Sequence, residues 1–504
     1  MTEAVRNLGE IADEIPGGRM ALIDLRSAEP LMMTYDAFRA EIRAVARGLS
    51  RLGLKRGDRI GILALNRAEY LTVMFGAALG GMIPVPFNVK VPVETLRAIL
   101  KADPVSLIIV ETDFSHLVPE GIGALSFESD YRELLDCGPF DPVPVVAGDV
   151  SMQPYTSGST GLPKGVLLTH AGQFWAAETL VEYRRLKSDD RGILAAPLYH
   201  KNALVAAKTA LRSGGSSVLV PRFEAGRYAR AIADWDVTML TGVPTMMRML
   251  LDDPNLPTAE AREGVRLISM GSSAASERLL ADLVAAFPSA EIHQNYGVTE
   301  GGPIMFGWYH PRGVPRPVKS IGYPIPGCEW KIDGEAGNEG ELWVKNPGVA
   351  KGYYNRAEAT AKAFRDGWYR TGDILRYDED GWFYFVARKD DMMVVGGENV
   401  FPQEIEAVLE THAAVRQAAV LAVPHEIKGE VPIAFVVLQD GKRTSEDELK
   451  QFALANAPAY AHPRRVFFLP KIPLTGTNKI DKPALMQIAA QSQQADTQQE
   501  RGTQ

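Results

Sequence analysis

Between Tyr155 and Gly165 the chain reads Tyr-Thr-Ser-Gly-Ser-Thr-Gly-Leu-Pro-Lys-Gly, so Thr156, Ser157, Ser159 and Thr160, with Gly158, Gly161 and Gly165, surround Lys164. Glycines let backbone N–H groups close on an anion, hydroxyls add donors, and a lysine neutralises phosphate charge. That composition, following a strand-like run, suits a polyphosphate clamp. It is not a Walker A loop, because Lys164 follows Pro163, precedes Gly165, and leads into Val166-Leu-Leu-Thr, which continues as strand rather than helix. Flexible surface linkers share the Gly/Ser composition, and the loop alone leaves both readings open. Further on, Asp373 in a Thr-Gly-Asp turn offers a carboxylate that can accept hydrogen bonds from hydroxyls. Lys479 stands in a Thr/Gly/Asn-rich loop, and Gly396-Gly397 permit close backbone approach to a thin substrate arm. In isolation these are also a turn aspartate, a solvated lysine and a β-turn, and Asn295-Tyr296-Gly297 is a turn with a packed tyrosine.

The elements that must position these residues follow from periodicity. Phe38, Ile42, Val45, Leu49 and Leu52 fall on one helical face, residues 59–64 read as a buried strand, and 69–78 as a helix again. A strand at 83–87, a helix at 93–101 and a strand at 106–110 continue the βαβ grammar, which returns with strands at 192–196, 217–220 and 265–269. Parallel sheets covered by helices are expected, as two similar α/β units. Past residue 320 shorter strands with Gly-rich turns, such as 340–344 and 381–385, predict a small barrel-like unit. After Arg388 a Lys-Asp-Asp cluster leads into an α+β segment ending near Leu485, and the glutamine-rich end nearly lacks large apolar residues, so disorder is expected there.

Composition narrows the function classes. With 504 residues, 46% hydrophobic and 23% charged, the chain can bury a large core in two or more units. A net charge of -8 gives no electrostatic footprint for nucleic acid. The nearly apolar stretch 76–89 is broken by Gly and Pro and falls short of the roughly 18 residues of a spanning helix. The acidic start lacks the regions of a signal peptide, and Cys137 and Cys328 make neither a disulfide framework nor a metal spacing, which suits a reducing cytoplasm.

Seven segments stand in order along the chain: the phosphate loop at 155–165, Pro197-Leu-Tyr-His200, Asn295-Tyr-Gly-Val-Thr-Glu300, Tyr369-Arg-Thr-Gly-Asp373, Ala387-Arg-Lys-Asp-Asp391, Gly396-Gly-Glu-Asn399 and Pro473-Leu-Thr-Gly-Thr-Asn-Lys479. In this the sequence resembles the AMP-forming acyl-CoA synthetases of the adenylate-forming superfamily, over about Tyr35 to Leu485. The resemblance implies two steps: a carboxylate attacks the α-phosphate of ATP, giving acyl-adenylate and pyrophosphate, and the acyl group then passes to coenzyme A. It implies that Thr156, Ser157, Gly158, Ser159, Thr160, Gly161 and Lys164 hold phosphates, and that Thr299 contacts the α-phosphate. Glu300 holds Mg²⁺, and Tyr296, flanked by Asn295 and Gly297 and joined by Ser272, receives adenine. By the same resemblance Asp373 and Arg388 take the ribose, Lys479 is the adenylation lysine, Asp390 is the hinge, and Gly396-Gly397 line the pantetheine tunnel. Asn478 and Ala387 stand where the family usually has glycine; neither removes a functional side chain, and asparagine tolerates glycine's left-handed backbone.

The fold implied is α/β: a large N-terminal domain (1–386) of two α/β subdomains plus a small distorted β-barrel, a hinge at 387–391, a small mobile α+β C-terminal domain (392–485) and a disordered tail (486–504). The acyl pocket implied lies around His200, Lys201, Gly242, Gly271, Gly301 and Gly302, with His200 at its mouth or in a structural role. Lys201 and Arg248 could pair with a second carboxylate on the substrate, although basic residues on helices usually face solvent. Expected co-substrates are ATP, coenzyme A and a small carboxylic acid, with Mg²⁺ as cofactor. Neither nucleic acid nor a membrane span is expected, and a homodimer is the assembly considered. Two rivals share the same motifs: a free-standing enzyme that loads a carrier protein's phosphopantetheine, and a catalytically silent nucleotide-binding protein.

Overall fold

The computed structural model describes residues 4–156, 162–272, 275–334, 337–395, 398–425, 427–475 and 480–501. The chain divides into two compact units, one of Met1–Asn338, Leu342–Thr371 and Tyr377–Tyr384, the other of Glu339–Glu341, Gly372–Arg376 and Phe385–Gln504. The first holds two mainly parallel sheets, as the βαβ pattern predicts. A four-stranded sheet runs in the order Ile83–Pro86, Arg59–Leu63, Leu107–Val110, Ala124–Ser126, all parallel. A seven-stranded sheet runs Glu291–Gln294, Leu267–Met270, Met239–Gly242, Arg191–Leu194, Ser216–Leu219, Met20–Asp24 and Leu31–Thr34, with only the last strand antiparallel.

Helices cover these sheets with the faces their periodicity sets. Helix Tyr35–Arg51 begins where Thr34 Oγ1 accepts the Ala37 N–H at 3.3 Å, and it buries Phe38, Ile42, Val45 and Leu49. Helix Ala68–Leu79 is buried along its length, hence its apolar sequence on every face. Asn66 joins the two sheets: its Nδ2 donates to the Ala196 and Val220 carbonyls at 2.9 and 3.0 Å, and its Oδ1 accepts the Leu198 N–H at 2.8 Å.

Past residue 295 the short strands group into two sheets. One has three strands, Tyr296–Val298, Gly302–Trp308 and Tyr323–Pro324; the other has five, and an isolated bridge between Gly322 and Phe383 connects them. Strands Glu339–Lys345, Trp368–Tyr377 and Phe383–Arg388 each carry residues of both compact units.

In the second unit, the long strands Val415–His425 and Gly429–Leu438 pair antiparallel, flanked by Met393–Val395, Glu398–Val400 and Val466–Phe468. Both faces of that sheet are covered. Val420, Ala434 and Val436 pack with Ile405, Leu409 and Leu449 of helices Pro402–Glu410 and Glu446–Asn456, while Leu421, Ile433 and Phe435 pack with Leu485 and Ala489. Of the glutamine-rich end, where composition predicts disorder, residues up to 501 are part of helix Lys482–Arg501, and 502–504 lie outside the described residues. Gln, Ala and Met are good helix formers, and the buried Leu485 and Ala489 fix the first turns.

Candidate active site

The Gly/Ser-rich segment is closed at its base by a short hairpin in which Tyr155 pairs with Gly165 and Thr156 with Lys164. Of the phosphate-loop residues, Ser157, Gly158, Ser159, Thr160 and Gly161 lie outside the described residues, whereas Thr156 and Lys164 flank them. Behind the hairpin a buried polar relay fixes its position. Arg59 Nε donates to Gln153 Oε1 at 2.9 Å, Gln153 Nε2 to the Tyr155 hydroxyl at 3.2 Å, and that hydroxyl to Asp103 Oδ2 at 3.1 Å. Asp103 is in turn ion-paired to Arg356 at 3.2 Å. Burial, with the Asp103 carboxylate alongside, raises the Tyr155 pKa and keeps its hydroxyl protonated. Gly165 is required by this packing, since a Cβ there would lie 2.6 Å from Gln153 Nε2.

Glu300, 8% exposed, meets the hairpin directly. Thr156 Oγ1 donates to its Oε1 at 2.9 Å and the Tyr353 hydroxyl donates to the same oxygen at 3.1 Å. The Tyr353 ring also lies under the Lys164 ammonium, 5.0 Å from its centroid. Tyr369 borders the cluster, and burial together with the neighbouring Glu300 and Tyr353 holds its pKa well above the ordinary range. A cation, a buried carboxylate and hydroxyls are thus gathered at the mouth of the loop. One carboxylate with hydroxyl neighbours is a hard-oxygen donor set, and no group of three or more His, Cys, Asp or Glu able to hold a metal occurs among the described residues. Such a set fits Mg²⁺, which binds through one or two carboxylates plus substrate phosphates rather than in an all-protein cage.

Residues proposed for the base and acyl group gather at the C-terminal ends of the parallel strands of the seven-stranded sheet, where open α/β sheets bind ligands. Gly271 and Ser272 follow Leu267–Met270, and Asn295 follows Glu291–Gln294, its N–H donating to the Met270 carbonyl at 2.8 Å. Ser272 takes φ +73°, a left-handed backbone unusual outside glycine. Asn295 Nδ2 donates to Ser269 Oγ at 2.8 Å, while its buried Oδ1 has no hydrogen-bond partner among the described residues. Tyr296 packs edge-on against Phe306 at 5.8 Å, and Gly297 lies in the same strand, Tyr296–Val298. Gly242 ends its strand with a carbonyl that receives the Gly271 N–H and Asn202 Nδ2, both at 3.4 Å. Gly302, at φ +105°, has Asn346 Oδ1 2.9 Å from where a Cβ would be, and Asn346 Nδ2 donates to the Gly301 carbonyl at 2.8 Å.

His200 caps helix Lys201–Ser213 and packs against Tyr199 at 4.8 Å. Lys201 and Thr299 line one narrow cavity with Met152, Gln173, Leu204 and Lys208. Arg248 is instead committed to Asp282, at 2.5 Å, and to Asp252, at 3.3 Å. Asp373, Arg388 and Asp390 belong to the second unit, where Arg388 is paired to the 2% exposed Asp373 at 2.9 Å and to Asp390 at 4.0 Å. Gly396, Gly397 and Lys479 lie outside the described residues; Leu474 and Ile480, on either side of the last, face each other across an isolated bridge.

Sequence reasoning missed Tyr353, the relay from Arg59 to Arg356, Asn202 and Lys208. Only Lys208 carried a readable signal, as a lone charge in the run Ala203-Leu-Val-Ala-Ala-Lys-Thr-Ala-Leu211. The others are remote in sequence from the residues they support.

A family model described as AMP-binding enzyme matches residues 10–354, and one described as AMP-binding enzyme C-terminal domain matches 404–479. The chain is 33% identical over 463 residues to a feruloyl-CoA synthase of an Amycolatopsis species, covering 89% of this chain and 92% of that protein. It is 32% identical over 469 residues to the fatty acid–[acyl-carrier-protein] ligase ScoC of Streptomyces coeruleorubidus, covering 89% and 90%. Among solved structures, o-succinylbenzoate CoA synthetase from Bacillus subtilis, in complex with its acyl-adenylate intermediate, superposes with a TM-score of 0.82 at 28% identity over 95% of this chain and 97% of that one.

Proposed function

The chain belongs to the AMP-binding enzyme family, and from that premise we propose the roles of its individual residues in an AMP-forming acid–thiol ligase. The enzyme activates a carboxylic acid with ATP and passes the acyl group to coenzyme A. In the first step a carboxylate oxygen bonds to the α-phosphorus, the bond from that phosphorus to the bridging oxygen breaks, and pyrophosphate leaves. In the second, the CoA thiol gives up its proton, its sulfur bonds to the carbonyl carbon, and AMP leaves with the electron pair of the mixed anhydride. The protein's part in the first step is positioning and charge neutralisation.

The observation that carries the residue roles is the buried Glu300 carboxylate, held by Thr156 at the base of the Gly/Ser loop and by Tyr353 under Lys164. Lys164 and the loop hydroxyls bind the β- and γ-phosphates, and Thr299, adjacent to Glu300, orients the α-phosphate. Glu300 would hold a Mg²⁺ that, when bound, offsets phosphate charge. Tyr296 stacks on adenine between Gly271-Ser272 and Gly297, with the orphaned Asn295 Oδ1 an acceptor for the base's amino group. Asp373 accepts the ribose hydroxyls, and Arg388, already paired to it, is the second ribose contact. Lys479 brings positive charge to the bond-forming oxygens, Asp390 is the pivot between half-reactions, and Gly396-Gly397 flank the pantetheine arm. His200 and Lys201 head the acyl pocket, with Gly242, Gly271, Gly301 and Gly302 leaving room in its walls.

Coenzyme A as acceptor is supported by the likeness to feruloyl-CoA synthase. A cytoplasmic setting fits the two free cysteines, Cys137 and Cys328, and no helix among the described residues is long and apolar enough to cross a membrane. The test is acid-dependent ATP–pyrophosphate exchange over a panel of carboxylic acids, followed by thioester formation with free CoA. Exchange with at least one acid and a CoA thioester as product is the expected result. The absence of exchange with any acid would overturn the reading, and accumulation of acyl-adenylate with CoA present would transfer it to a carrier-protein acceptor. Light scattering of the same preparation reads whether it is a homodimer.

A further inference from the structure

Lys208 is an ammonium-bearing side chain inside the first unit, 3% exposed, on helix Lys201–Ser213. Its Nζ reaches the Gln173 side-chain oxygen from helix His170–Tyr183 and, at 4.0 Å, the Met152 sulfur. Among the described residues no carboxylate pairs with it, and burial pushes its pKa down to about 7. A lysine has three donors, and among the described residues only one strong acceptor, the Gln173 side-chain oxygen, meets them. Buried lysines are normally paired, because an unpaired buried charge is costly. Folding therefore leaves this amine short of an anion.

The amine lines the narrow cavity that Lys201 and Thr299 also border. Lys201, Leu204 and Lys208 are spaced i, i+3, i+7, so they share one helix face over about 10 Å of axis. All three line the cavity with Thr299, the residue next to Glu300. The lining of that space thus includes both Thr299, next in the chain to Glu300, and the Lys208 amine, together with the apolar side chains of Met152, Leu168 and Leu204. A neutral acyl chain would bury the amine further against hydrocarbon, whereas a second carboxylate would supply its missing counter-charge.

We propose that Lys208 is the specificity-determining residue of the acyl pocket and selects short acids carrying a second carboxylate, which pairs with its amine while the first is adenylated beside Thr299. This rests on the reading of the chain as an acid-activating ligase, and it names the acid class that reading leaves open. Phenolic acids, whose distal hydroxyl could also accept from an amine, are the competing class.

The experiment measures ATP–pyrophosphate exchange for matched pairs, succinate with butyrate and glutarate with pentanoate, together with 4-hydroxycinnamate, in wild type, Lys208→Met and Lys208→Gln. In wild type the dicarboxylates should exceed their partners in kcat/KM by about 10²-fold or more, the discrimination expected when a buried charged group is left unpaired. In Lys208→Met that ratio should fall to near one or invert, mainly through the KM of the dicarboxylate, with thermal unfolding confirming a folded protein. Lys208→Gln should fall as well, since it can donate but carries no charge. A wild type that exchanges with butyrate or 4-hydroxycinnamate but with neither dicarboxylate overturns the proposal and leaves the ligase reading intact. A ratio unchanged in folded Lys208→Met makes Lys208 a strut to Gln173 and also overturns it. Failure of all five acids beside exchange with another acid of the wider panel overturns the proposal and leaves the ligase reading intact, whereas failure of the whole panel sinks both.

Discussion

The Glu300 carboxylate is where charge has most to do, since two hydroxyls and a nearby lysine are arranged around a single buried side chain. Glu300→Gln keeps the volume and can still hydrogen-bond Thr156 and Tyr353, so the fold should survive. Pyrophosphate exchange should fall by about 10²-fold or more, with a higher Mg²⁺ requirement. Near-normal exchange across a magnesium titration would take Glu300 out of the site. Lys208 offers a test in the ligand-free protein. Its folded pKa, about 7, lies below the ordinary 10.5, so between these values the unfolded chain binds more protons and stability rises with pH. The penalty is fully present below about pH 7 and gone above about 10.5; at full strength it is on the order of 3–5 kcal/mol, before any loss of the Gln173 bond. Lys208→Met should therefore gain most in melting temperature over wild type near pH 6 to 7, and the gain should shrink toward pH 10. A gap independent of pH would show that the amine is not desolvated.

Two strands and a relay carry the phosphate loop. The hairpin of Tyr155-Thr156 with Lys164-Gly165 is too short to hold itself, and its register depends on Gln153, Asp103, Arg59 and Arg356 behind it. Tyr155→Phe keeps the stacking on Phe87 at 5.6 Å but removes the hydroxyl between Gln153 and Asp103. Unmaking these buried hydrogen bonds costs roughly 1–3 kcal/mol. The expected outcome is a modest drop in urea midpoint with a several-fold rise in KM for ATP, the acid KM changing little. Equal rises in both would place the relay under the whole first unit rather than under the loop.

At the scale of the molecule, the two half-reactions require different surroundings, and the second unit carries Lys479 and Asp390, the residues proposed to distinguish them. Lys479→Met keeps much of the side chain's length without its charge, so acid-dependent pyrophosphate exchange should fall by about 10²–10³-fold. Conversion of presynthesised acyl-adenylate and CoA to acyl-CoA should be retained. Equal collapse of both rates on one preparation would point to misfolding instead. Asp390→Pro fixes φ in the short 3-10 turn Lys389–Asp391 and should show the opposite pattern, adenylation largely kept and thioester formation lost. Loss of both together would count against a pivot there.

The sequence alone determined the chemistry and most of the local structure. Short motifs hold candidate phosphate-binding groups close together in the chain, so Thr156, Lys164, Thr299 and Glu300 could be singled out without a fold. Helical and strand periods reflect which face is buried, so the helices at 35–51 and 68–79 and the parallel strands were legible too. Only the tertiary structure decided what is distant along the chain. The N-terminal strands Met20–Asp24 and Leu31–Thr34 join the seven-stranded sheet beside Ser216–Leu219, a pairing across nearly 200 residues that no local pattern encodes. Arg248 proved committed to Asp282, while Lys208, spaced as an ordinary helical residue, turned inward to Gln173. Partners such as Tyr353 for Glu300 and Asp103 for Tyr155 are set by how elements stack, because a hydrogen bond depends on distance in space and carries no signature in sequence spacing.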